Sequence, residues 1–249
     1  MTKWMHELKW PDIEDYLRSS DVVLIPIGNV EQHGPHLPLM TDSAQAIDVT
    51  VAAADRTGVL IAPPQWIGWT PWHMGFPGSF TLRSDTLIRL AEDICYCLIS
   101  HGFRKLIWVT RGFNTPPLRL AQARIRNRTN ALVAILDHAE MVAADVLAPG
   151  WDVQAHAGGA ETSHMLYLHP ALVDLSKASP YPWPYKDLTT IPTFTEFRRD
   201  VPRGGAGNPL SASREKGQEI FDRVVDRVVA YIEEVRNLEI EIHVVEPPV

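Results

Sequence analysis

A short run early in the chain concentrates residue types that bind metal ions. Glu31, His33 and Asp42 lie within twelve residues of one another, directly after the apolar stretch 22–27. In an extended segment, side chains two positions apart point to the same side, and the glycine and prolines that follow turn the chain back. An imidazole together with carboxylates suits zinc or manganese. The run therefore predicts a divalent-metal site rather than a polar surface loop.

A second cluster lies in the middle of the chain. His156 occupies a glycine-containing loop, and Glu161 follows where that loop enters a helix. A histidine can take up or release a proton near neutral pH. Glu161 could reach a metal, or it could simply favour the helix dipole. His164, three residues further on, is predicted to be a core or interface histidine.

Two further segments carry candidate site residues. Arg111 follows the apolar stretch 105–110, and its guanidinium could bind a carboxylate or phosphate, or form an ion pair with a carboxylate of the site. The loop 72–79 combines aromatic residues, glycine and proline with His73. Loops of this kind often line pockets, although the same composition also suits a structural turn.

Apolar stretches alternate with helical patterns along the chain. Strands are predicted at 22–27, 59–63, 105–110 and 131–136, and helices at 84–100, 115–127, 138–147 and 213–238. This alternation predicts an α/β fold with a mostly parallel sheet that is covered on both faces. In such sheets the ligand site lies beyond the carboxyl ends of the strands, where Glu31, His33 and Arg111 follow.

Composition restricts the class of protein. The chain has 249 residues, 45% of them hydrophobic, and a net charge of −7, so a single domain spanning 1–249 is expected. The absence of a Lys/Arg-rich block argues against nucleic-acid or anionic-membrane partners. No signal peptide or membrane-spanning stretch is recognisable, and a cytoplasmic location is expected. Cys95 and Cys97 lie two positions apart in a predicted helix and are expected to be buried thiols, not a disulfide.

Taken together, these motifs resemble the creatininase family. The resemblance rests on Pro-Ile-Gly-x-x-Glu-Gln-His-Gly-Pro-His-Leu-Pro at 26–38 with Asp42, and on the segments 73–78, 156–163 and 207–217. It implies a three-layer αβα sandwich, assembly as a homo-oligomer, often a hexamer, and one or two zinc or manganese ions per chain. It also implies hydrolysis of a C–N bond in a small-molecule substrate, commonly a cyclic amide or formamide.

The resemblance also implies roles for individual residues. Glu31 and Asp42 would hold one metal, and His33 and Asp42 the other, with Asp42 bridging. His156 matches the catalytic histidine of the family, and Glu161 matches an acidic position close to the site.

The sequence departs from the family at two ligand positions. Arg111 stands where most relatives have a metal-binding histidine, and Phe113 stands where creatininase proper has a metal-binding glutamate. A guanidinium offers no lone pair to a metal, and its charge repels a neighbouring dication. We therefore expect an altered site in which Arg111 takes the place of the second cation, where it binds an anionic substrate group or stabilises an oxyanion.

These arguments assign each candidate residue a predicted role. The predicted catalytic residues are His156, Glu161 and Arg111; the predicted substrate-binding residues are Trp72, His73, Phe113 and Arg111; the predicted metal ligands are Glu31, His33, Asp42 and Glu161. The predicted activity is that of a metal-dependent amidohydrolase acting on a small cyclic amide, amidine or formamide. The alternative is a non-catalytic relative that binds a small molecule or serves as a structural subunit.

Overall fold

A computed structural model describes residues 3–145, 155–182 and 197–241. Within these residues a parallel sheet of four strands has the order β2-β1-β3-β4, with β1 at Val22–Ile27, β2 at Leu60–Ile61, β3 at Lys105–Thr110 and β4 at Leu132–Asp137. Ile27 pairs with Thr110, which in turn pairs with Asp137. The carboxyl ends of β1, β3 and β4 are therefore level, and the segments that follow them meet at one edge.

Of the described α-helices, the first precedes β1 and the others follow the strands in sequence. They are α1 Trp10–Leu17, α2 Thr41–Thr57, α3 Ser84–His101, α4 Thr115–Arg128, α5 His138–Asp145, α6 Gly159–Leu168, α7 Phe197–Asp200 and α8 Arg214–Arg236. Their ends carry the expected signals: Gly102 stops α3 with a φ of 114°, and the Ser213 side chain accepts a hydrogen bond from the Lys216 N–H at the start of α8.

Helices cover both faces of the sheet. Val23 and Leu106 pack on one side with apolar residues of α3 and α4, whereas Leu24 and Ile107 pack on the other side with α2 and α8. Alternate residues of each strand thus enter separate apolar layers, which is why β1 and β3 are buried along their whole length. The predicted α/β fold with three layers is confirmed.

Most predicted elements agree with the structure to within one or two residues. β1 and β3 have the predicted bounds, β4 is shifted by one residue, and β2 is shorter than the predicted 59–63. The predicted helix 138–147 is described as far as Asp145, and its last two residues lie outside the described ranges.

The structure differs from the sequence-based prediction in one missed helix and in one wrong expectation. The helix α2 was not predicted, because polar residues interrupt its apolar stripe even where the helix is buried; Asp42 thus lies in the first turn of a helix. The prediction that both cysteines are buried is wrong for Cys97, since Cys95 is buried and Cys97 is exposed. Residues two apart lie on nearly opposite sides of a helix, so α3 can bury only one of them.

Candidate metal centre

The carboxyl edge of the sheet brings the predicted metal ligands together. Glu31 and His33 lie in the segment that leaves β1, and Asp42 lies at the start of α2; all three side chains are buried. His33 Nε2 lies 3.5 Å from Asp42 Oδ1 and 3.8 Å from Glu161 Oε2. The Nδ1 of His33 lies 3.1 Å from the Glu31 carbonyl oxygen, which orients the ring so that Nε2 faces the carboxylates.

Two glycines allow the backbone to approach this cluster. A Cβ at Gly28 would lie 2.3 Å from the Cα of Ser43, so the end of β1 packs directly against the start of α2. A Cβ at Gly112, which has a φ of +86°, would lie 2.8 Å from Asp42 Oδ2 and 2.3 Å from Asn29 Nδ2. Glycine at these positions therefore lets Asp42 sit close to the strand ends.

Arg111 enters the cluster from the end of β3. Its guanidinium donates a short hydrogen bond to Oε1 of Glu161, and its Nε lies 3.8 Å from Asp42 Oδ1. Arg111 is 8% exposed, so this ion pair is almost completely removed from solvent. The structure contains the ion pair with a site carboxylate, which was one of the alternatives for Arg111, and a role in binding an anionic substrate group stays a prediction.

The second carboxylate oxygen of Glu161 also accepts a hydrogen bond. The N–H of Ala157 donates to Glu161 Oε2 over 2.5 Å, and Ala157 has a φ of 54°. This left-handed conformation is uncommon for a residue with a side chain and tends to occur at functional sites. Glu161 therefore receives donors at both oxygens, one from Arg111 and one from the backbone.

Three histidine rings form the other side of the cluster. The ring centroids of His33 and His156 are 4.4 Å apart, and those of His73 and His156 are 4.5 Å apart. His73 Nε2 lies 3.5 Å and His156 Nδ1 lies 3.9 Å from Oε1 of Glu31. The structure thus places His73 and His156, predicted from separate motifs, against the same carboxylate.

Burial and charge shift the pKa values of the two glutamates in opposite directions. Burial, reinforced by the charge of Asp42, raises the pKa of Glu31 to about 8. Burial also disfavours the charged form of Glu161, but the Arg111 guanidinium and His33 outweigh it and hold the pKa of Glu161 well below its usual range.

The pKa values of the three histidines also shift in different directions. Burial lowers the pKa of His156 to about 4 and that of His73 well below its ordinary value. Burial likewise opposes a charge on His33, but the carboxylates of Asp42 and Glu161 outweigh it and raise the pKa of His33. At neutral pH the metal-free cluster therefore contains neutral His73 and His156 rings.

An aromatic wall flanks the cluster. Trp72 is buried in the short 3-10 turn Pro71–His73, and its ring lies edge-to-face against Phe113 with centroids 4.8 Å apart. Phe113 is 41% exposed and thus presents part of its ring to solvent. The predicted substrate-binding residues Trp72, His73 and Phe113 lie next to one another on this side.

Sequence reasoning missed two residues that organise the site. Gln32 is buried, and its side-chain amide contacts both His73 and His156. Asn114 accepts the backbone N–H of Trp69 at 2.8 Å and donates to the Arg111 carbonyl, which joins the aromatic loop to the segment after β3. Their positions inside or beside the site motifs were the only available signal.

His164, expected to be a core histidine, is buried with its ring centroid 4.9 Å from that of His138.

The donor set fits a divalent ion. Among the described residues, two groups place their ligand atoms within 4.8 Å of one another: Glu31, His33 and His156, and His33, Asp42 and Glu161. Glu31 Oε2, His33 Nε2 and Asp42 Oδ2 are buried and lack a well-formed hydrogen bond to any described residue. Buried polar atoms normally have partners, so three such atoms within these two groups indicate a site for a cation.

Fold and site together define an α/β protein with a buried histidine–carboxylate metal centre at the carboxyl edge of its sheet. The family model for creatininase, described as creatinine amidohydrolase, matches residues 6–232. The chain therefore belongs to the creatininase family.

Individual relatives agree with this assignment. The chain is 31% identical to creatinine amidohydrolase of Pseudomonas putida, over 92% of this chain and 95% of that one. It is 30% identical to the mycofactocin precursor peptide peptidase of Mycobacterium ulcerans, over 84% of each chain. Both relatives are hydrolases of C–N bonds, which confirms the predicted enzyme class.

Solved structures support the fold and the cofactor. Creatininase in a manganese form superposes with a TM-score of 0.81 at 27% identity, covering 96% of this chain and 100% of that one. A mutant creatininase of the Zn–Zn type superposes with a TM-score of 0.82 at 26% identity, over the same shares of the two chains. The predicted cofactor, a divalent zinc or manganese ion, is confirmed.

In the described part of the chain, none of the helices combines the length and the apolar character that a bilayer crossing requires.

Proposed function

We propose that this protein is a metal-dependent amidohydrolase that cleaves a C–N bond of a small cyclic amide, amidine or formamide with one divalent ion per chain. The observation that carries the proposal is that Glu31 Oε2, His33 Nε2 and Asp42 Oδ2 are buried and lack well-formed hydrogen bonds within the described residues, in two groups of candidate ligands that share His33. These three residues would hold the ion.

Arg111 is the reason for proposing one ion and not two. Its guanidinium already neutralises Glu161 and lies 3.8 Å from Asp42, on the side where a second ion would need ligands. A dication beside this fixed charge would be repelled by several kcal/mol, even at an effective dielectric constant of about 20. Arg111 thus supplies the positive charge that a second ion would otherwise contribute.

The proposed chemistry divides between the ion and the side chains. A bound divalent ion would lower the pKa of water and polarise the substrate carbonyl or imine. His156 is neutral at pH 7 because burial lowers its pKa to about 4, so it can take a proton and pass it to the leaving nitrogen. The fixed charge of Arg111 would stabilise negative charge that develops on the substrate oxygen.

The flanking residues support a small, flat substrate. Trp72 and Phe113 meet edge-to-face at 4.8 Å, and Phe113 remains 41% exposed beside the cluster. An aromatic wall of this kind suits one face of a planar ring or amide. His73, which lies behind this wall against Glu31, would contact the polar edge of the same substrate.

The non-catalytic alternative is favoured by one observation, the replacement of a ligand position by Arg111. Against it stands the cost of burying converging carboxylates, since an idle site gains nothing from Glu31 and Asp42 in an environment that disfavours their charge. Assembly as a homo-oligomer and a cytoplasmic location stay predictions.

The proposal is tested by hydrolysis assays. Chelator-treated protein is reconstituted with zinc or manganese and offered lactams, cyclic ureas, cyclic amidines and N-formyl compounds. We expect metal-dependent turnover of at least one class, abolished in His156→Ala and retained in His169→Ala, which changes a half-buried histidine that pairs with Asp48. Absence of turnover throughout would support the non-catalytic alternative, whereas turnover that survives His156→Ala would contradict the proposed role of His156.

A further inference from the structure

The side-chain amide of Gln32 joins several segments that are distant in sequence. Its Nε2 lies 2.7 Å from Nδ1 of His73 and 3.0 Å from Nε2 of His156, and it donates to the Gly204 carbonyl at 2.9 Å. Its Oε1 accepts the Gly34 N–H at 3.0 Å. A buried amide with this many partners has little freedom to rotate.

Two backbone groups determine which end of the amide is which. The N–H of Gly34 requires an oxygen, and the carbonyl of Gly204 requires an N–H donor. A Cβ at Gly204 would lie 1.9 Å from Gln32 Oε1, so only glycine allows this close approach. The amide is therefore oriented by the backbone, independently of the histidines.

The oriented amide determines the proton position on His73. One N–H of Gln32 Nε2 goes to Gly204. His156 Nε2, 3.0 Å away, faces the Gln32 carbonyl oxygen and therefore carries a proton itself, so the second N–H of Gln32 points to Nδ1 of His73 at 2.7 Å. That ring nitrogen must accept, and the proton of the neutral ring is carried by Nε2. His73 consequently presents an N–H to Oε1 of Glu31, 3.5 Å away.

His156 carries its proton on Nε2 as His73 does, but its ring is turned so that the unprotonated Nδ1 faces Glu31. Its Nε2 lies 2.7 Å from the backbone carbonyl oxygen of Gln32, which accepts but cannot donate. Nε2 therefore carries the proton of the neutral ring, and Nδ1 faces Oε1 of Glu31 with a lone pair at 3.9 Å. The metal centre thus receives one N–H donor, from His73, and one lone pair, from His156.

We propose that Gln32 is a positioning residue: its side chain fixes His73 as a donor, while its own backbone carbonyl fixes His156 as an acceptor. The consequence for catalysis rests on the proposed function, because a proton acceptor at His156 and a donor beside Glu31 matter only if the centre is active. The proton positions themselves require neither metal nor substrate.

The test is long-range proton–nitrogen NMR on chelator-treated protein labelled with nitrogen-15 in histidine, which distinguishes protonated from unprotonated ring nitrogens. Signals are assigned by their loss in His73→Gln and His156→Gln. In the wild type we expect both rings to carry the proton on Nε2. In Gln32→Glu a carboxylate faces His73 Nδ1, so the His73 proton should move to Nδ1, whereas His156 should be unchanged because its partner is a backbone carbonyl.

Gln218→Glu, the same substitution at an exposed position of α8, should leave both rings as in the wild type. A wild-type His73 protonated on Nδ1, or a His73 unchanged in folded Gln32→Glu, would overturn the proposal. If Gln32→Glu does not fold, Gln32→Met removes the donor without adding charge; His73 should then populate both tautomers, and a fixed Nε2 proton would contradict the proposal. Because no turnover is measured, this result is separate from the success or failure of the hydrolase assay.

Discussion

The centre has two halves that use similar residues in opposite electrostatic states. In the Glu31 half, which comprises Glu31, His33 and His156, no lysine or arginine of the described residues pairs with the carboxylate, and its pKa is raised to about 8 by burial and by Asp42. In the Arg111 half, which comprises Arg111, Asp42 and Glu161, the guanidinium holds the pKa of Glu161 well below its ordinary value. Both glutamates are buried, so the presence of a permanent cation makes the difference.

This contrast shows which half needs an ion. Burying a carboxylate costs several kcal/mol unless a partner compensates. Arg111 compensates Glu161 within the chain itself, whereas no lysine or arginine in the described part of the chain does so for Glu31, which leaves it for an external cation. Three substitutions test this contrast: one removes the internal cation Arg111, one removes the predicted ligand Asp42, and one removes the carboxylate of Glu31 that awaits an ion.

Removal of the internal cation should have the largest effect on stability. Arg111→Met leaves Glu161 buried without its main partner, and we expect the free energy of unfolding of the metal-free protein to fall by about 3–5 kcal/mol. Denaturant titration measures this loss, and added zinc should recover part of it by binding to the folded state. Arg119→Met, which breaks an exposed ion pair with Glu140, is the matched control and should change stability by no more than about 0.5 kcal/mol.

Removal of a predicted ligand should weaken zinc binding without a comparable fall in the free energy of unfolding. Asp42→Asn keeps the shape of the side chain but removes its charge, and we expect zinc affinity to fall by at least about 100-fold, since changes to groups that only support a ligand already cost about 10–100-fold. Competition with a chromogenic chelator gives the affinity. Asp48→Asn, on the same helix but paired with His169, should bind zinc like the wild type; equal weakening by both substitutions would contradict a role for Asp42 as a ligand.

The smallest expected effect is on the pH dependence of the free energy of unfolding. The pKa of Glu31 is about 8 in the folded protein and about 4.5 when unfolded, so ionisation of the unfolded chain disfavours folding increasingly from pH 4.5 up to pH 8. Glu31→Gln removes this cost. We expect the metal-free variant and the wild type to be equally stable near pH 4.5, and the variant to be more stable by about 1–3 kcal/mol at pH 8.

Denaturant titrations at several pH values check this difference, in which groups shared by both proteins cancel. Glu234→Gln, at an exposed position of α8, should give no such pH-dependent gain. A constant difference between Glu31→Gln and wild type across this range would show that Glu31 is not buried in the state described.

The sequence predicted the parts of the molecule that depend on local pattern. β1 and β3 are continuous apolar stretches, so their bounds and the parallel sheet followed directly. The helix α2 was missed because its buried side includes Asp42, Ser43 and Gln45, which hide the apolar stripe. That 1–249 forms a single domain stays a prediction, as do the roles of the individual site residues.

Long-range partners could not be predicted in this way. The sequence left open whether Arg111 binds a ligand or pairs with a site carboxylate, and its partner Glu161 lies 50 residues away. Gln32 was overlooked because its importance depends on Gly204 and His156, which only the folded chain brings to it. Spacing in the sequence identified candidate ligands, whereas the division of the centre into two halves required their positions in space.

The central claim, one ion per chain because Arg111 replaces the second, is tested most directly by zinc stoichiometry. Chelator-treated protein is saturated with zinc, passed over a desalting column and analysed for zinc per chain. We predict one ion in the wild type and in Arg111→Lys, which keeps the charge, and two in Arg111→His, which exchanges the charge for a ring nitrogen. Two tightly bound ions in the wild type would contradict the account.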